Sequence, residues 1–286
     1  MRIRIIGAES LGVRSMCCVV ETANRRVVID PGVALAPLRF GLPPHPVELK
    51  RAAEIRDEIL TEIGAATDIV ISHFHGDHAP LAEPDPSQVP LLDFINHLGG
   101  AKIWVKSRQG NTRLMDKRFG DFVRLLGERV FDADGKNDGE LAFSLPVLHG
   151  KMGRGTVMMT KVVDSEMCFV HASDIQLLDD EAVFRILSWR PDIVFVDGPP
   201  IYLGLQPIEH QRAIENGLKL ARGVERLIVD HHLLRSATGL DWLRQIGDES
   251  GNRVISAAEW DDKKPLLLEA HRRALFRAVN HGKSET

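Results

Sequence analysis

Cysteine is scarce in this sequence, and the three cysteines present are badly placed for disulfide bonds. Two of them, Cys17 and Cys18, are neighbours in a strand-like run, and the third is Cys168. A bridge between neighbouring cysteines is strained, and an odd count leaves one thiol over. We therefore exclude a disulfide framework and predict three reduced, buried thiols in a cytoplasmic protein.

Long apolar runs and an excess of charge of one sign are also missing. No apolar run reaches the roughly 18 residues that a membrane span needs, and residues 1–7 alternate charged and apolar side chains where a signal peptide would have an apolar core. The formal net charge is −4, which gives no global positive field for nucleic acid or an anionic membrane. These absences predict a soluble protein with a small-molecule substrate and no membrane partner.

Apolar residues are plentiful, at 44% of the chain, and their spacing alternates between strand and helix periods. No repeat or linker divides the chain, so we predict one domain over residues 1–286. Strands are predicted at residues 2–6, 15–21, 26–29, 68–71, 102–106, 142–148, 155–163, 167–172, 192–196 and 226–229. Helices are predicted at residues 47–63, 91–98, 112–127, 179–189, 208–221, 240–247 and 265–279.

Two proline-rich stretches, residues 33–46 and 79–90, are predicted to be loops. The second directly follows the metal-ligand run described below, so we expect it to form the rim of any site there. We expect both loops to set substrate specificity. The leucines and Phe40 of the first loop fit either core packing or a contact within a homo-oligomer.

One short run carries the strongest chemical signal. Residues 71–78 read Ile-Ser-His-Phe-His-Gly-Asp-His, where the predicted strand 68–71 ends, and they contain His73, His75, Asp77 and His78. Imidazole and carboxylate groups are ligands of borderline cations such as Zn²⁺. A strand that ends at such a run presents the ligands from a rigid sheet edge. The run therefore predicts a metal site at the end of this strand.

Later predicted strands end in matching ligand types, as a metal site assembled at one sheet edge requires. The residues at or just beyond these strand ends are Asp30, His149, Asp174, His231 and His232. Six or seven nitrogen and oxygen ligands are too many for one tetrahedral ion and suit a pair of ions. The same ligands accept Zn²⁺, Mn²⁺ or iron, so the sequence predicts two divalent cations, with zinc favoured.

This order of motifs resembles the metallo-β-lactamase superfamily over nearly the whole chain. The resemblance implies an α+β fold, an αββα four-layer sandwich of two central mixed sheets flanked by helices, with a dinuclear centre at one edge. It also implies hydrolysis by a water-derived hydroxide that Asp77 orients. The implied ligands are His73, His75 and His149 for one metal and Asp77, His78 and His231 for the other, with Asp174 between them and Asp30 orienting the site.

Two residues differ from those of other branches of the superfamily, and these differences restrict the activity that the resemblance implies. Asp174 stands where the lactamases of the superfamily carry a bridging cysteine, and His75 stands where diiron oxygen-reducing relatives carry a glutamate. The resemblance therefore implies a hydrolase of phosphoesters, thioesters or lactones. The fuller pattern of residues 29–32, 73–78, 197–203 and 230–235 looks like that of a group best known from archaea.

Several residues have roles that the sequence leaves open. His232 competes with His231 as the last ligand, and is otherwise an outer-shell residue or the proton donor to the leaving group. Tyr202 either packs or donates a hydrogen bond to an oxyanion. Lys151 and Arg154 either bind an anionic substrate group or are solvated loop charges. Asp30 either orients a ligand histidine or caps the turn after it.

The favoured function is a metal-dependent hydrolase of a small phosphodiester-like substrate, because two cations suit the charge that develops on a phosphorane. A lactone or thioester hydrolase is the alternative within the enzyme class, and a non-catalytic metal-stabilised binding protein is the alternative outside it. The intervals between His149, Asp174 and His231 leave no room for the extra domain of RNA-processing relatives, which argues against a nucleic-acid substrate.

Overall fold

Two mixed β-sheets lie at the centre of the structure, a computed structural model that describes residues 1–282. The strands are β1 (Arg2–Ile5), β2 (Cys18–Glu21), β3 (Arg26–Ile29), β4 (Asp68–Ile71), β5 (Lys102–Val105), β6 (Val130–Asp132), β7 (Asn137–Asp138), β8 (Leu141–Phe143), β9 (Val147–Leu148), β10 (Thr156–Val157), β11 (Thr160–Val163), β12 (Cys168–Ser173), β13 (Ile193–Val196), β14 (Arg226–Val229) and β15 (Val254–Ile255). The helices are α1 (Pro46–Ala65), α2 (Leu91–His97), α3 (Arg113–Leu126), α4 (Asp180–Ser188), α5 (Pro207–Gly223), α6 (His231–Leu234), α7 (Gly239–Ser250), α8 (Ala257–Trp260) and α9 (Arg272–Gly282).

Strand direction changes within each sheet, and the parallel strands lead to the same edge. The first sheet has the order β1-β2-β3-β4-β5-β6, antiparallel from β1 to β3 and parallel from β3 to β6. The second has the order β15-β14-β13-β12-β11-β8-β7, parallel from β15 to β12 and antiparallel beyond. Strands β9 and β10 form a separate antiparallel ribbon.

Three apolar clusters separate four layers of structure. In β4, Val70 points into the cluster between the sheets, whereas Ile69 and Ile71 point into the cluster under helices α1 to α3, as the two-residue period of a strand requires. A third cluster packs the second sheet against α4, α5 and α7. The layers therefore run helix, sheet, sheet, helix, which confirms the predicted α+β sandwich.

Three predicted strands, at residues 26–29, 68–71 and 226–229, have the bounds that the structure shows. Two others are wrong in part, since the structure breaks residues 142–148 into β8 and β9 and residues 155–163 into β10 and β11. Pro146 explains the first break, because proline has no N–H to donate to a ladder. The helix predicted at residues 265–279 begins only at Arg272, since Leu267 and Leu268 are buried in turns that precede it.

The predicted burial of the three thiols is confirmed. Cys17, Cys18 and Cys168 are buried and unpaired, and burial raises the pKa of each thiol. Among the described residues, no helix combines the length and the apolar character that crossing a bilayer requires.

A buried ion pair links α9 to α1 and to the first proline-rich loop. Arg272 and Glu48 are both fully buried, and the guanidinium donates to both carboxylate oxygens at 2.8 Å. The same guanidinium donates to the backbone carbonyls of Ala36 and Leu42 at 3.0 and 3.1 Å. Arg272 thus fixes the path of the loop between β3 and α1.

We expect Arg272→Met to lower the free energy of unfolding by about 3–5 kcal/mol, because it leaves the Glu48 carboxylate buried without its partner. Adding Glu48→Gln should recover part of the loss, since the uncompensated charge is then gone. The measurement is urea unfolding, with Arg277→Met on the exposed face of α9 as the matched control. Equal losses in Arg272→Met and the control would contradict a structural role for this pair.

Candidate metal centre

The predicted ligand run follows β4 in a loop that Asp30 holds in shape. Because β3 and β4 are parallel neighbours, their carboxyl ends meet at one edge of the sheet. Asp30, with φ of 50°, accepts hydrogen bonds from the backbone N–H and the hydroxyl of Ser72 at 2.7 and 2.6 Å. His78 Nδ1 donates to Asp30 Oδ2 at 2.8 Å, which turns His78 Nε2 towards the centre of the site.

Gly32 is required by the close approach of two chain segments beside Asp30. A Cβ at this position would lie 2.5 Å from the backbone N and C atoms of His78, so a side chain cannot be accommodated without moving the loop. The sequence Asp30-Pro31-Gly32 therefore also brings the segment after β3 against the backbone of His78, one of the predicted ligands. This contact accounts for the glycine at a position whose φ is ordinary.

A first group of potential ligand atoms comes from three histidines and one aspartate that follow three strands, β4, β9 and β12. The potential ligand atoms of His73, His75, His149 and Asp174 all lie within 4.8 Å of one another. Asp174 Oδ2 is 3.2 Å from His149 Nε2 and 3.7 Å from His73 Nε2. Two atoms that bind one tetrahedral ion at about 2.0–2.1 Å are about 3.3 Å apart, so these separations suit a single cation.

A second group lies on the other side of Asp174. The potential ligand atoms of Asp77, His78 and His231 also lie within 4.8 Å of one another, and His231 Nε2 is 3.3 Å from Asp77 Oδ2. Asp174 approaches this group too, with Oδ2 at 3.3 Å from His78 Nε2 and Oδ1 at 3.9 Å from His231 Nε2. Asp174 thus lies between two groups, each of the size that one cation needs.

The polar atoms at the centre fit a cation better than they fit one another. His78 Nε2, His149 Nε2 and Asp174 Oδ1 are buried without a hydrogen-bond partner among the described residues. A buried polar atom without a partner costs about 1–3 kcal/mol, and all three atoms are ones that bind metal. Burial also lowers the pKa of His75 and of His231 to about 4, which favours the neutral imidazole that a metal requires.

His231 and His232 occupy different surroundings at the start of α6. His231 belongs to the group with Asp77 and His78. His232 Nε2 is 3.7 Å from Asp174 Oδ2, and His232 Nδ1 donates to Asp197 Oδ2 at 2.6 Å. Of the two, His231 is therefore the one beside the other ligands of the second group.

No family model matches the chain. A UPF0282 protein from Methanosarcina mazei is 47% identical to it over 279 residues, which cover 96% of this chain and 92% of that protein. A UPF0282 protein from Pyrobaculum calidifontis is 36% identical over 304 residues, which cover 99% and 97% of the two chains. The chain belongs to the UPF0282 family. This result confirms the predicted resemblance to an archaeal group.

Solved structures place the UPF0282 chain in the metallo-β-lactamase fold. An isothiocyanate hydrolase from Delia radicum gut bacteria superposes with a TM-score of 0.51 at 14% identity, over 85% of this chain and 94% of the other. A metal-dependent hydrolase of the β-lactamase superfamily superposes with a TM-score of 0.50 at 15% identity, over 89% of this chain and 94% of the other. A variant of the CmlA β-hydroxylase superposes with a TM-score of 0.50 at 14% identity, over 85% of this chain and 51% of the other. At such identities the likeness concerns the fold alone.

A cavity of about 570 Å³ opens over the first ligand group of this UPF0282 protein. His75, His149 and His232 line its base. Lys151 and Arg154, from the loop after β9, and Tyr202, from the segment after β13, line its walls. Lys151 forms an ion pair with Glu209, whose carboxylate lies 2.7 Å from the lysine Nζ. The structure thus brings the predicted substrate-binding residues to the same cavity as the ligands.

The expectation that residues 79–90 form the rim is wrong, and neither proline-rich loop lines the cavity that would set specificity. The cavity is lined instead by residues of the 149–155 and 200–205 segments together with Thr112 and Gln176. The two proline-rich loops pack against each other, with the N–H of Leu35 donating to Ser87 Oγ at 3.0 Å. They line a separate, apolar cavity of about 280 Å³ that contains no ligand residue.

Two charged residues of the site were not assigned a role from the sequence. Asp197 follows the buried strand β13 and accepts hydrogen bonds from His232 and from the backbone N–H of Gln176. Arg235 is buried and donates to Asp77 Oδ2 at 3.2 Å, to His231 Nε2 at 2.6 Å and to the Tyr202 hydroxyl at 3.2 Å. Asp197 lies at a strand end, as Asp174 does, and this position could have identified it as a residue of the site. For Arg235, the only comparable feature in the sequence is its spacing of four residues from His231.

Proposed function

We propose that this UPF0282 protein is a hydrolase that depends on two divalent cations, zinc by preference and manganese or iron as alternatives. The observation that carries the proposal is the convergence of two ligand groups on Asp174, with three partnerless buried ligand atoms, beneath a cavity of small-molecule size. One cation would be held by His73, His75 and His149 and the other by Asp77, His78 and His231, with Asp174 between them. Bound cations of this kind acidify water and neutralise charge on the substrate.

The remaining residues supply positioning and proton transfer. Asp30 orients His78 through the hydrogen bond to Nδ1. Asp77 is the carboxylate that orients the attacking water. His232 has its Nδ1 fixed by Asp197 and lines the cavity, so we assign it the transfer of a proton to the leaving group. Tyr202 accepts from Arg235 and lines the cavity, which leaves its own proton for a substrate oxygen.

A small phosphodiester-like compound is the substrate class that the charges favour. Two cations at the base suit the charge of a phosphorane, and Lys151 and Arg154 on the wall suit an anionic group. Leu203 and Leu205 form an apolar part of the same wall, which is the observation in favour of a lactone or thioester instead. The size of the cavity and the net charge of −4 favour a small molecule over nucleic acid. Three unpaired thiols suit a reducing cytoplasm.

The test is turnover of a chromogenic phosphodiester, a lactone and a thioester by the zinc-loaded protein. We expect the phosphodiester to be cleaved and the activity to be lost in His75→Ala. His97→Ala, which changes an exposed histidine of α2, should keep it. Preferential cleavage of the lactone or thioester would favour the alternative substrates. Full metal loading with no turnover of any substrate would favour a metal-stabilised binding protein.

We expect Arg154→Met to raise KM for an anionic phosphodiester about tenfold while leaving a neutral ester unchanged, because it removes a charge that contacts only the anionic group. Lys151→Met is the matched control, since Lys151 is already paired with Glu209 and should have the smaller effect. Steady-state kinetics on both substrates measure the difference. Equal changes for anionic and neutral substrates would contradict an anion-binding wall.

A further inference from the structure

Arg235 contacts two of the three residues that form the second ligand group. Its Nη2 atom lies 2.6 Å from His231 Nε2 and 3.2 Å from Asp77 Oδ2. His231 Nε2 and Asp77 Oδ2 are themselves 3.3 Å apart, the separation expected of two atoms on one cation. The guanidinium therefore uses the same pair of atoms that the second cation needs.

His231 cannot serve both partners at once. A neutral imidazole has one ring nitrogen with a free lone pair, and a guanidinium has five donors, no acceptor and no accessible deprotonated form. The lone pair on Nε2 therefore either accepts the hydrogen bond from Arg235 or binds a cation. Two positive charges competing for the Asp77 carboxylate add to this conflict.

The first ligand group has no such competitor. Among the described residues, neither arginine nor lysine bonds to the potential ligand atoms of His73, His75, His149 or Asp174. His149 Nε2 and Asp174 Oδ1 have no hydrogen-bond partner within residues 1–282. A cation can enter this group without displacing a charged side chain.

Arg235 also has a second acceptor within reach. Its Nε atom faces Glu9 Oε2 at 3.5 Å, and neither atom has a hydrogen-bond partner among the described residues. A small shift of the side chain towards Glu9 would form a new bond as the bond to His231 breaks. The arginine can therefore leave the ligand atoms without leaving its buried position.

We propose that Arg235 and the second cation exclude each other at His231, so that the two cations bind in sequence and with unequal affinity. The first cation binds the group of His73, His75, His149 and Asp174 tightly. The second binds Asp77, His78 and His231 only when Arg235 releases His231. This inference rests on the proposed function for the identity of the ligands, but it concerns loading and is tested without turnover.

The experiment is a zinc titration of metal-free protein against a chromogenic chelator, read as zinc bound per chain. We expect two steps in the wild type, the second weaker by about 10-fold to 100-fold, since altering the partners of metal ligands changes affinity by about that much. In Arg235→Met the second step should tighten at least tenfold while the first stays unchanged. Arg118→Met is the matched control, because Arg118 bonds the carbonyl of Phe74 in the same loop but no ligand atom.

Two equally tight steps in the wild type, or an unchanged second step in Arg235→Met, would overturn the proposal. A second step tightened equally by Arg118→Met would also overturn it, since charge alone would then explain the effect. If Arg235→Met does not fold, anomalous diffraction from wild-type crystals decides. With one zinc ion added per chain, a single anomalous peak supports binding in sequence, and two peaks of equal height contradict it. No zinc binding at all would instead reject the proposed function, and the inference with it.

Discussion

Asp174→Asn is expected to remove bound metal and activity together. The Asp174 carboxylate approaches His78 and His231 of one ligand group and His149 of the other, all within 4 Å. Asparagine keeps the shape but loses the charge that balances two cations. We expect turnover of the chromogenic phosphodiester to fall by at least about 1,000-fold, because the cations supply several kcal/mol of charge stabilisation and the nucleophile.

Asp230→Asn is the matched control for this substitution. Asp230 is also a buried aspartate at a strand end, but its carboxylate accepts the backbone N–H groups of Ser10 and Ala257 and belongs to neither ligand group. We expect Asp230→Asn to keep its metal, whatever it costs in stability. Metal content is measured by inductively coupled plasma mass spectrometry after dialysis. A full metal complement in Asp174→Asn would contradict the placement of Asp174 between two cations.

His232→Gln is expected to slow hydrolysis without removing metal. His232 donates from Nδ1 to Asp197 and lines the cavity, so the change removes the proposed proton donor. The loss in kcat should be about 100-fold to 10,000-fold for substrates with a poor leaving group. It should be much smaller for a nitrophenyl ester, whose leaving group departs without a proton. Asp197→Asn should show the same pattern, more weakly, because it only orients His232.

The measurement for His232 is kcat across a series of phosphodiesters whose leaving-group alcohols differ in pKa. The dependence of log kcat on that pKa should become steeper in His232→Gln than in the wild type. Equal losses across the series would remove proton donation as the role of His232. Loss of one zinc per chain would instead show that His232, rather than His231, completes the second group.

The clustering of the candidate metal ligands was predictable because the information for it is local. His73 to His78 follow one strand within six residues, and His149, Asp174 and His231 each lie at or just after a strand end. Parallel neighbours bring the ends of β4, β12 and β14 to the edges of their sheets whatever the loops do, whereas His149 follows β9 in a separate antiparallel ribbon. The αββα sandwich was predictable from the resemblance to the metallo-β-lactamase superfamily, and the alternation of two-residue and helical periods along the chain agrees with it.

The rest of the site depends on contacts between distant parts of the chain. Arg272 fixes the loop of residues 33–46 from a position 236 residues beyond Ala36, which no local pattern indicates. The cavity is lined by residues of the 149–155 and 200–205 segments, and no local pattern indicated that these two segments come together either. Arg235 lies one helix turn after His231, and it contacts Asp77, which is 158 residues earlier in the chain. Its contact with the candidate ligands therefore became visible only in three dimensions.

The most direct test of the central claim is turnover followed against metal content in one preparation. The protein is dialysed against a chelator, and zinc is returned in steps while phosphodiester cleavage and bound zinc are both measured. We predict that cleavage disappears with the metal and returns as zinc is restored, in step with the filling of the two ligand groups. Cleavage that survives complete removal of metal would contradict a metal-dependent hydrolase.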